Sequence, residues 1–201
     1  MKINFVLLIL IAGALLPGCI SYTTLQTAET LEPGKVIIGG GTALMFGGND
    51  VGFQPEVNAR IGIINNFDIG AKYVIPSLFF ADGKWRLISD PVSLSFDLGW
   101  STFSYDGNSG KSKGVSTGWY PMLLIGKEHW YAGVRPVYFI TKGEVEFFGL
   151  QKFEGSGWLY TNVVVGGVLG SKVRLMPELN VMIPKSGEIN LVPALGLQFV
   201  F

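Results

Sequence analysis

The chain ends in Ile189-Asn190-Leu191-Val192-Pro193-Ala194-Leu195-Gly196-Leu197-Gln198-Phe199-Val200-Phe201. In an extended strand, successive side chains point to opposite faces. Ile189, Leu191, Pro193, Leu195, Leu197, Phe199 and Phe201 then share one apolar face. Asn190, Val192, Ala194, Gly196, Gln198 and Val200 share the other, which is small or polar. The preceding stretch repeats the pattern: Val173, Leu175, Pro177, Leu179, Val181 and Ile183 on one side, Arg174, Met176, Glu178, Asn180 and Met182 on the other. Strands with unlike faces need unlike environments on the two sides of their sheet.

Working outward from this stretch, the alternation predicts ten strands, at 35–46, 53–64, 67–76, 83–89, 92–105, 115–126, 130–140, 157–170, 173–183 and 189–201. Most run about 10–14 residues, longer than the ~5–6 of an ordinary strand and suited to the ~9–11 of a tilted transmembrane strand. The expected architecture is all-β, an antiparallel up-and-down transmembrane β-barrel. Pro121, Pro136, Pro177 and Pro193 lie inside predicted strands, where each removes a ladder hydrogen bond. Bulges are expected there, and a count of eight or twelve strands stays open.

Composition agrees with a membrane environment. The 201 residues are 48% hydrophobic and only 15% charged, with 28 glycines. No apolar run after residue 20 reaches the ~18 residues of a spanning helix, which leaves a closed barrel as the way to pair every backbone group in lipid. Lys plus Arg equals Asp plus Glu at 15 each, and removing Lys2 with the leader leaves about −1. With no basic stripe, the phosphate-neutralising attraction that drives nucleic-acid binding is missing. A single cysteine and a single histidine, His129, exclude an intrachain disulfide and Cys/His zinc clusters.

Residues 1–18 combine Lys2, the apolar run Phe5–Leu16 and Pro17-Gly18 before Cys19, the parts of a secretory signal peptide. Leu16-Pro17-Gly18-Cys19 resembles the lipobox of bacterial lipoproteins. The resemblance implies cleavage before Cys19 and covalent lipid on it, with lipoprotein-transport machinery as a partner. Ile20 in place of Asp favours the outer membrane. Phe201, Phe199 and Leu197 resemble the C-terminal signature by which outer-membrane proteins are recognised for barrel assembly. Together these features are similar to outer-membrane β-barrel lipoproteins. They imply a lipidated periplasmic segment at 19–34, a barrel over 35–201 and outer-membrane lipid as its surroundings.

Connections sort by parity, with short ones at 65–66, 89–91, 127–129 and 171–172. The longer ones lie at 47–52, 77–82, 106–114 and 141–156, and 185–188 is a short exception. Short periplasmic turns and longer external loops are the barrel pattern, so both termini are expected in the periplasm. Tyr73, Trp85, Trp100, Trp119 and Tyr138 are expected near external strand ends, and Phe67 and Trp130 near periplasmic ones, as interfacial girdles.

The inward face is expected to carry Glu56, Asn58, Arg60, Lys72, Lys84, Arg86, Asp97, Arg135, Arg174 and Glu178. Charges of both signs in a narrow lumen must pair, and the excess of cations in this set implies weak anion preference in any leak. No catalytic or metal constellation is visible and no cofactor is expected besides the lipid. His129 lies in a turn, while Asp106, Glu144, Glu146 and Glu154 lie in expected external loops. Gly39-Gly40-Gly41 sits in a strand with no following helix, so a phosphate loop is excluded and close packing or bending is expected. Loop 141–156, with Val145, Phe147, Phe148, Leu150 and Phe153, is the candidate surface for a partner, lipopolysaccharide contact or an inward plug; simple extension of its flanking strands is the other reading. The functional expectation is a structural or surface-interaction barrel without enzyme activity. A narrow pore, a soluble lipocalin-like binding lipoprotein and a membrane-embedded enzyme are the alternatives.

Overall fold

A computed structural model describes residues 21–47, 50–75, 78–106, 113–147, 151–185, 187 and 189–201. Ten strands form: β1 (Val36–Gly47), β2 (Asp50–Ile64), β3 (Phe67–Val74), β4 (Leu78–Ile88), β5 (Ser93–Asp106), β6 (Lys113–Lys127), β7 (Trp130–Phe147), β8 (Gln151–Gly167), β9 (Val173–Pro184) and β10 (Asn190–Val200). Each pairs antiparallel with its sequence neighbours, and β1 pairs with β10 to close the barrel. The seam continues to the last residue: Phe201 N–H donates to Val36 O at 2.8 Å, and Val36 N–H donates back to Phe201 O at 3.2 Å. We call the end carrying this seam the terminal end, and the other the loop end.

The alternation has the sidedness of a barrel in an apolar medium. Ile38, Val57, Ile69, Leu98, Leu123, Val165, Leu175, Leu195 and Phe199 are exposed on the outside, while Glu56, Lys84, Asp97, Arg135 and Glu178 are buried inside. A soluble lipocalin-like barrel requires the reverse, so the outward apolar face argues against that alternative.

Each proline in question lies where a hydrogen-bonded ladder stops. Pro121 and Pro136 face one another across the interruption of the β6–β7 ladder between Trp119↔Tyr138 and Leu123↔Val134. The β8–β9 ladder ends at Gly166↔Glu178, next to Pro177, and resumes in the isolated Leu169↔Leu175 bridge. The β1–β10 ladder ends at Ala43↔Ala194, next to Pro193. Register shifts occur at Gly62/Ile64, Arg86/Ile88, Val137/Tyr138 and Thr141/Val145, and the one at Val137/Tyr138 adjoins Pro136 as expected. Ladder ends, rather than the expected bulges, absorb most of the missing N–H donors.

Two expectations change with strand length. β4 starts at Leu78, so Trp85 lies near the terminal end beside Phe67, with ring centroids 5.2 Å apart, and not at the loop end. β7 and β8 extend to Phe147 and from Gln151, so most of the expected 141–156 loop is strand and its apex, 148–150, lies outside the described residues. The difference in connection length between the two ends largely disappears as a result. What distinguishes the ends is strand overhang. Trp100, Trp119, Tyr138 and Trp158 form an outward row across four neighbouring strands, and β7 continues beyond Tyr138 for about 30 Å of chain to Phe147.

Candidate functional site: the occupied lumen

The segment expected to lie in the periplasm occupies the barrel. Ser21, Tyr22, Thr23, Thr24, Leu25 and Ala28 are buried. From β1 at the terminal end the chain runs backward into the lumen. Leu31 N–H donates to Asp68 Oδ2 near the start of β3 at 2.9 Å, and Tyr22 N–H reaches Gln54 Oε1 near the loop end of β2 at 3.2 Å.

Wall side chains grip this segment by its main chain. Lys84 Nζ donates to Thr27 O at 2.9 Å and Glu29 O at 2.8 Å. Arg135 donates to Thr23 O and Ser21 O, each at 3.0 Å. Lys72 donates to Thr23 O at 3.1 Å, and Gln198 to Leu25 O at 2.7 Å. Ser95 donates to Ala28 O. Glu178 accepts the consecutive N–H groups of Thr24 and Leu25 at 2.7 and 2.6 Å, and the hydroxyl of Tyr131 at 2.6 Å. Leu25 has φ +45°, a region that bulky residues rarely enter without support from their surroundings. Successive N–H groups converging on one carboxylate are a recurring anion arrangement, here with the anion supplied by the wall.

The lumen has two layers. At the terminal half, β2–β5 present Arg60, Asp68, Lys72, Asp82, Lys84 and Asp97, with Arg60 bridging Asp68 and Asp82 and Lys72 paired to Glu56 at 3.2 Å. Across from them, Leu25 and Ala28 pack with Met122, Leu124, Tyr131, Val164, Val168 and Met176 of the β6–β9 side. At the loop half, Tyr22 joins Phe80, Phe103, Tyr120, Phe139, Leu159 and Tyr160. Lys72 lies over the Phe80 ring at 5.8 Å and Arg135 over Tyr120 at 5.7 Å, which joins the charged layer to the aromatic one.

Glycines on the inward face are sockets. A Cβ at Gly118 would lie 2.8 Å from the Tyr120 ring, one at Gly70 2.6 Å from Arg60, and one at Gly196 3.0 Å from Leu25. Gly41, of the Gly39-Gly40-Gly41 run, leaves the room that the Leu25 side chain fills, and its Cβ would also sit 2.9 Å from Leu195 O. For Gly41 the expected close packing is thus a slot for the lumen segment, whereas a Cβ at Gly39 or Gly40 would meet neighbouring strands, at Gln198 and Leu197 O or at Glu56 O.

Most of the expected lumen residues meet in this network: Glu56, Arg60, Lys72, Lys84, Asp97, Arg135 and Glu178. Asp97 accepts from Gln26 of the inserted segment. Arg86 does not join, and Arg174 borders the lumen cavity while its hydrogen bond goes to the rim. Arg86 donates to Asn66 Oδ1 in the β2–β3 turn, and Arg174 to Ser171 O at 3.2 Å, both at the terminal rim. Sequence reasoning missed Asp68 and Asp82. Asp68 shares the inward parity of Lys72, and Asp82 lies in a stretch that reads as loop but belongs to β4, which begins at Leu78. The buried network therefore holds four cations, Arg60, Lys72, Lys84 and Arg135, against five carboxylates, Glu56, Asp68, Asp82, Asp97 and Glu178. This removes the basis for an anion preference.

A cavity of about 40 Å³ remains between the segment and the charged wall, bounded by Gln26, Asn58, Arg60, Asp82, Lys84 and Asp97 among others. Gln26 Oε1, Asn58 Nδ2 and Asp97 Oδ1 make no hydrogen bond within the protein, and the space suits a few bridging waters. Among the described residues, no group of three His, Cys, Asp or Glu is placed to hold a metal. His129 is exposed in the β6–β7 turn, 4.0 Å from Glu128. Cys19 and Phe148 lie outside the described residues. So do the side chains of Asp106, Glu144, Val145, Glu146, Phe147, Phe153 and Glu154, and all of Leu150.

The geometry defines a class: a closed, ten-stranded antiparallel barrel with an apolar exterior and a lumen filled by its own N-terminal segment. No protein-family model and no curated protein sequence matches the chain. Among solved structures it is similar to an outer membrane channel from Pseudomonas putida F1, with 11% identity over 89% of this chain and 100% of that one and a TM-score of 0.47. It is also similar to Ail, the attachment invasion locus protein of Yersinia pestis (10% identity, 84% and 99% covered, TM-score 0.33). A third is Neisserial surface protein A (12% identity, 83% and 96% covered, TM-score 0.32).

Proposed function

We propose that the chain is an outer-membrane β-barrel, with its terminal end in the periplasm and its lumen shut by residues 21–31. Its role in this reading is structural or in surface interaction, not enzymatic and not that of a constitutive pore. The observation that carries it is the sidedness: apolar side chains face outward around the whole wall and paired charges face inward. Exposed contiguous apolar surface on this scale demands an apolar medium. The outward row Trp100, Trp119, Tyr138 and Trp158 is a natural interfacial girdle. Eight residues separate Trp130 from Tyr138 on β7, about 20 Å along the axis of a barrel tilted by ~40°, close to the ~25 Å apolar band of such barrels. The strands beyond the row, β5–β8, supply the surface for an external partner. Heat-modifiable gel mobility of protein reconstituted in lipid vesicles tests the reading. A folded, faster-migrating form that boiling converts is expected, and a chain that stays soluble without lipid or detergent would overturn it.

The lipobox-like stretch supports covalent lipid on Cys19 and, through it, a membrane anchor. Mass spectrometry of the membrane fraction is expected to find acyl mass on a peptide beginning at Cys19; an unmodified thiol on a mature chain that starts elsewhere ends this part. Ser21 is fully buried, and two residues of chain span at most ~7 Å. An acyl group in the periplasmic leaflet therefore requires residues 21–31 to leave the lumen.

A further inference from the structure

We propose that the lumen is a binding site for a peptide main chain, which residues 21–31 occupy as a displaceable intramolecular ligand. The proposal rests on the membrane-barrel reading and adds a ligand class to it. Ten main-chain groups between Ser21 and Leu31 are held by wall side chains: the N–H groups of Tyr22, Thr24, Leu25 and Leu31, and the carbonyls of Ser21, Thr23, Leu25, Thr27, Ala28 and Glu29. Main-chain groups are common to every peptide, so this recognition is largely independent of sequence, as in strand addition at sheet edges. Side-chain selection comes from the slot that Gly41 and Gly196 leave for Leu25, the close fit of Ala28, the aromatic cluster around Tyr22, and the bonds of Thr23 to Glu56 and Lys72 and of Gln26 to Asp97. The ligand is accordingly a peptide with an aromatic residue, an aliphatic one three positions later and a small one three positions after that, turning at the aliphatic position as Leu25 does with φ +45°.

Two features make the segment exchangeable. Its residues belong to none of the ten ladders that close the wall, so the barrel's backbone hydrogen bonding is complete without it. Its partners on the wall are mostly charged groups, Asp68, Lys72, Lys84, Arg135 and Glu178, which water can solvate once the segment leaves. The apolar contacts that Tyr22, Leu25 and Ala28 make with the wall are lost on exit, and an incoming peptide must replace them.

The test uses the full chain in lipid vesicles. In the unmodified protein, the amides of Thr24, Leu25 and Leu31 are expected to exchange with deuterium at least tenfold faster than ladder amides of β9 and β10. Equal protection would overturn the proposal, because the segment would then open only with the barrel. Leu25→Asp brings a charge beside Glu178 and into the glycine slot, and is expected to release the segment. A labelled synthetic peptide of residues 21–31 should then bind this variant saturably, at least tenfold more tightly than it binds the unmodified chain. Adding Glu178→Gln should weaken that binding about tenfold or more. A Leu25→Asp chain that keeps its heat-modifiable mobility but takes up no peptide overturns the proposal. One that loses this mobility does so as well, by showing the segment to be a fixed part of the fold. Loss of heat-modifiable mobility in the unmodified chain would instead refute the barrel reading itself.

Discussion

Gly41 and Leu25 show how a single missing side chain positions the lumen segment. Gly41→Ala places a methyl against Leu25 and Leu195 O, and overpacking of this kind costs about 1–3 kcal/mol. The expected result is a lower unfolding midpoint in urea, partly restored by Leu25→Ala in the same chain; no recovery would mean that the backbone contact alone matters. Arg60 and Arg174 make a second contrast. Arg60→Ala leaves Asp68 and Asp82 buried without their shared partner, a loss of about 3–5 kcal/mol. Arg174→Ala removes a rim hydrogen bond and is expected to change stability by no more than ~0.5 kcal/mol, so equal effects of the two in urea titrations would contradict the described network. The sequence expectation treated both arginines alike because parity reports which face a residue is on, but not how far it lies from the rim. Parity did mark Glu56, Lys72, Lys84, Asp97, Arg135 and Glu178 as inward.

Strands were the most legible elements, since period-two alternation is imposed by the chain itself and survives any error in the ends. Their lengths were less legible: Thr141, Lys142 and Gly143 read as loop chemistry, yet pair with β6, because neighbouring strands supply hydrogen bonds that local composition does not encode. The lumen segment was not legible at all. Ser21-Tyr22-Thr23-Thr24-Leu25-Gln26-Thr27-Ala28 has no strand or helix period, and its partners Arg135, Glu178 and Gln198 lie more than 100 residues away. The terminal residue joins both kinds of information. Phe201 is 71% exposed on the outer face, so Phe201→Ala is expected to cost the folded barrel less than ~1 kcal/mol. Its backbone bonds to Val36 persist in that variant. If the residue serves as an assembly signal, folded yield in cells falls several-fold while the urea midpoint of the purified barrel hardly moves. Equal cellular yield would remove the assembly role.

At the scale of the whole molecule, the two layers of the lumen predict its electrical behaviour. The terminal layer is filled by residues 21–31, and the loop layer by aromatic side chains that belong mainly to the wall: Phe80, Phe103, Tyr120, Phe139 and Tyr160. Tyr120 lies 5.0 Å from Phe80 and 5.8 Å from Phe139, edge to face. These contacts do not depend on the inserted segment. Planar-bilayer recordings of the unmodified protein are therefore expected to show no stable channel on the scale of a general porin. Releasing the segment with Leu25→Asp is expected to leave conductance low, because it empties a pocket open to the terminal end rather than a through passage. Opening the barrel requires both layers to go, so Leu25→Asp combined with Tyr120→Ala and Phe139→Ala is the variant expected to conduct. With four buried cations against five carboxylates along the wall, its current should show little ion preference or a slight one for cations, since selectivity follows the charge lining a pore. A steady, strongly anion-selective current from that triple variant would mean that the carboxylates of the β2–β5 wall do not face the conducting path.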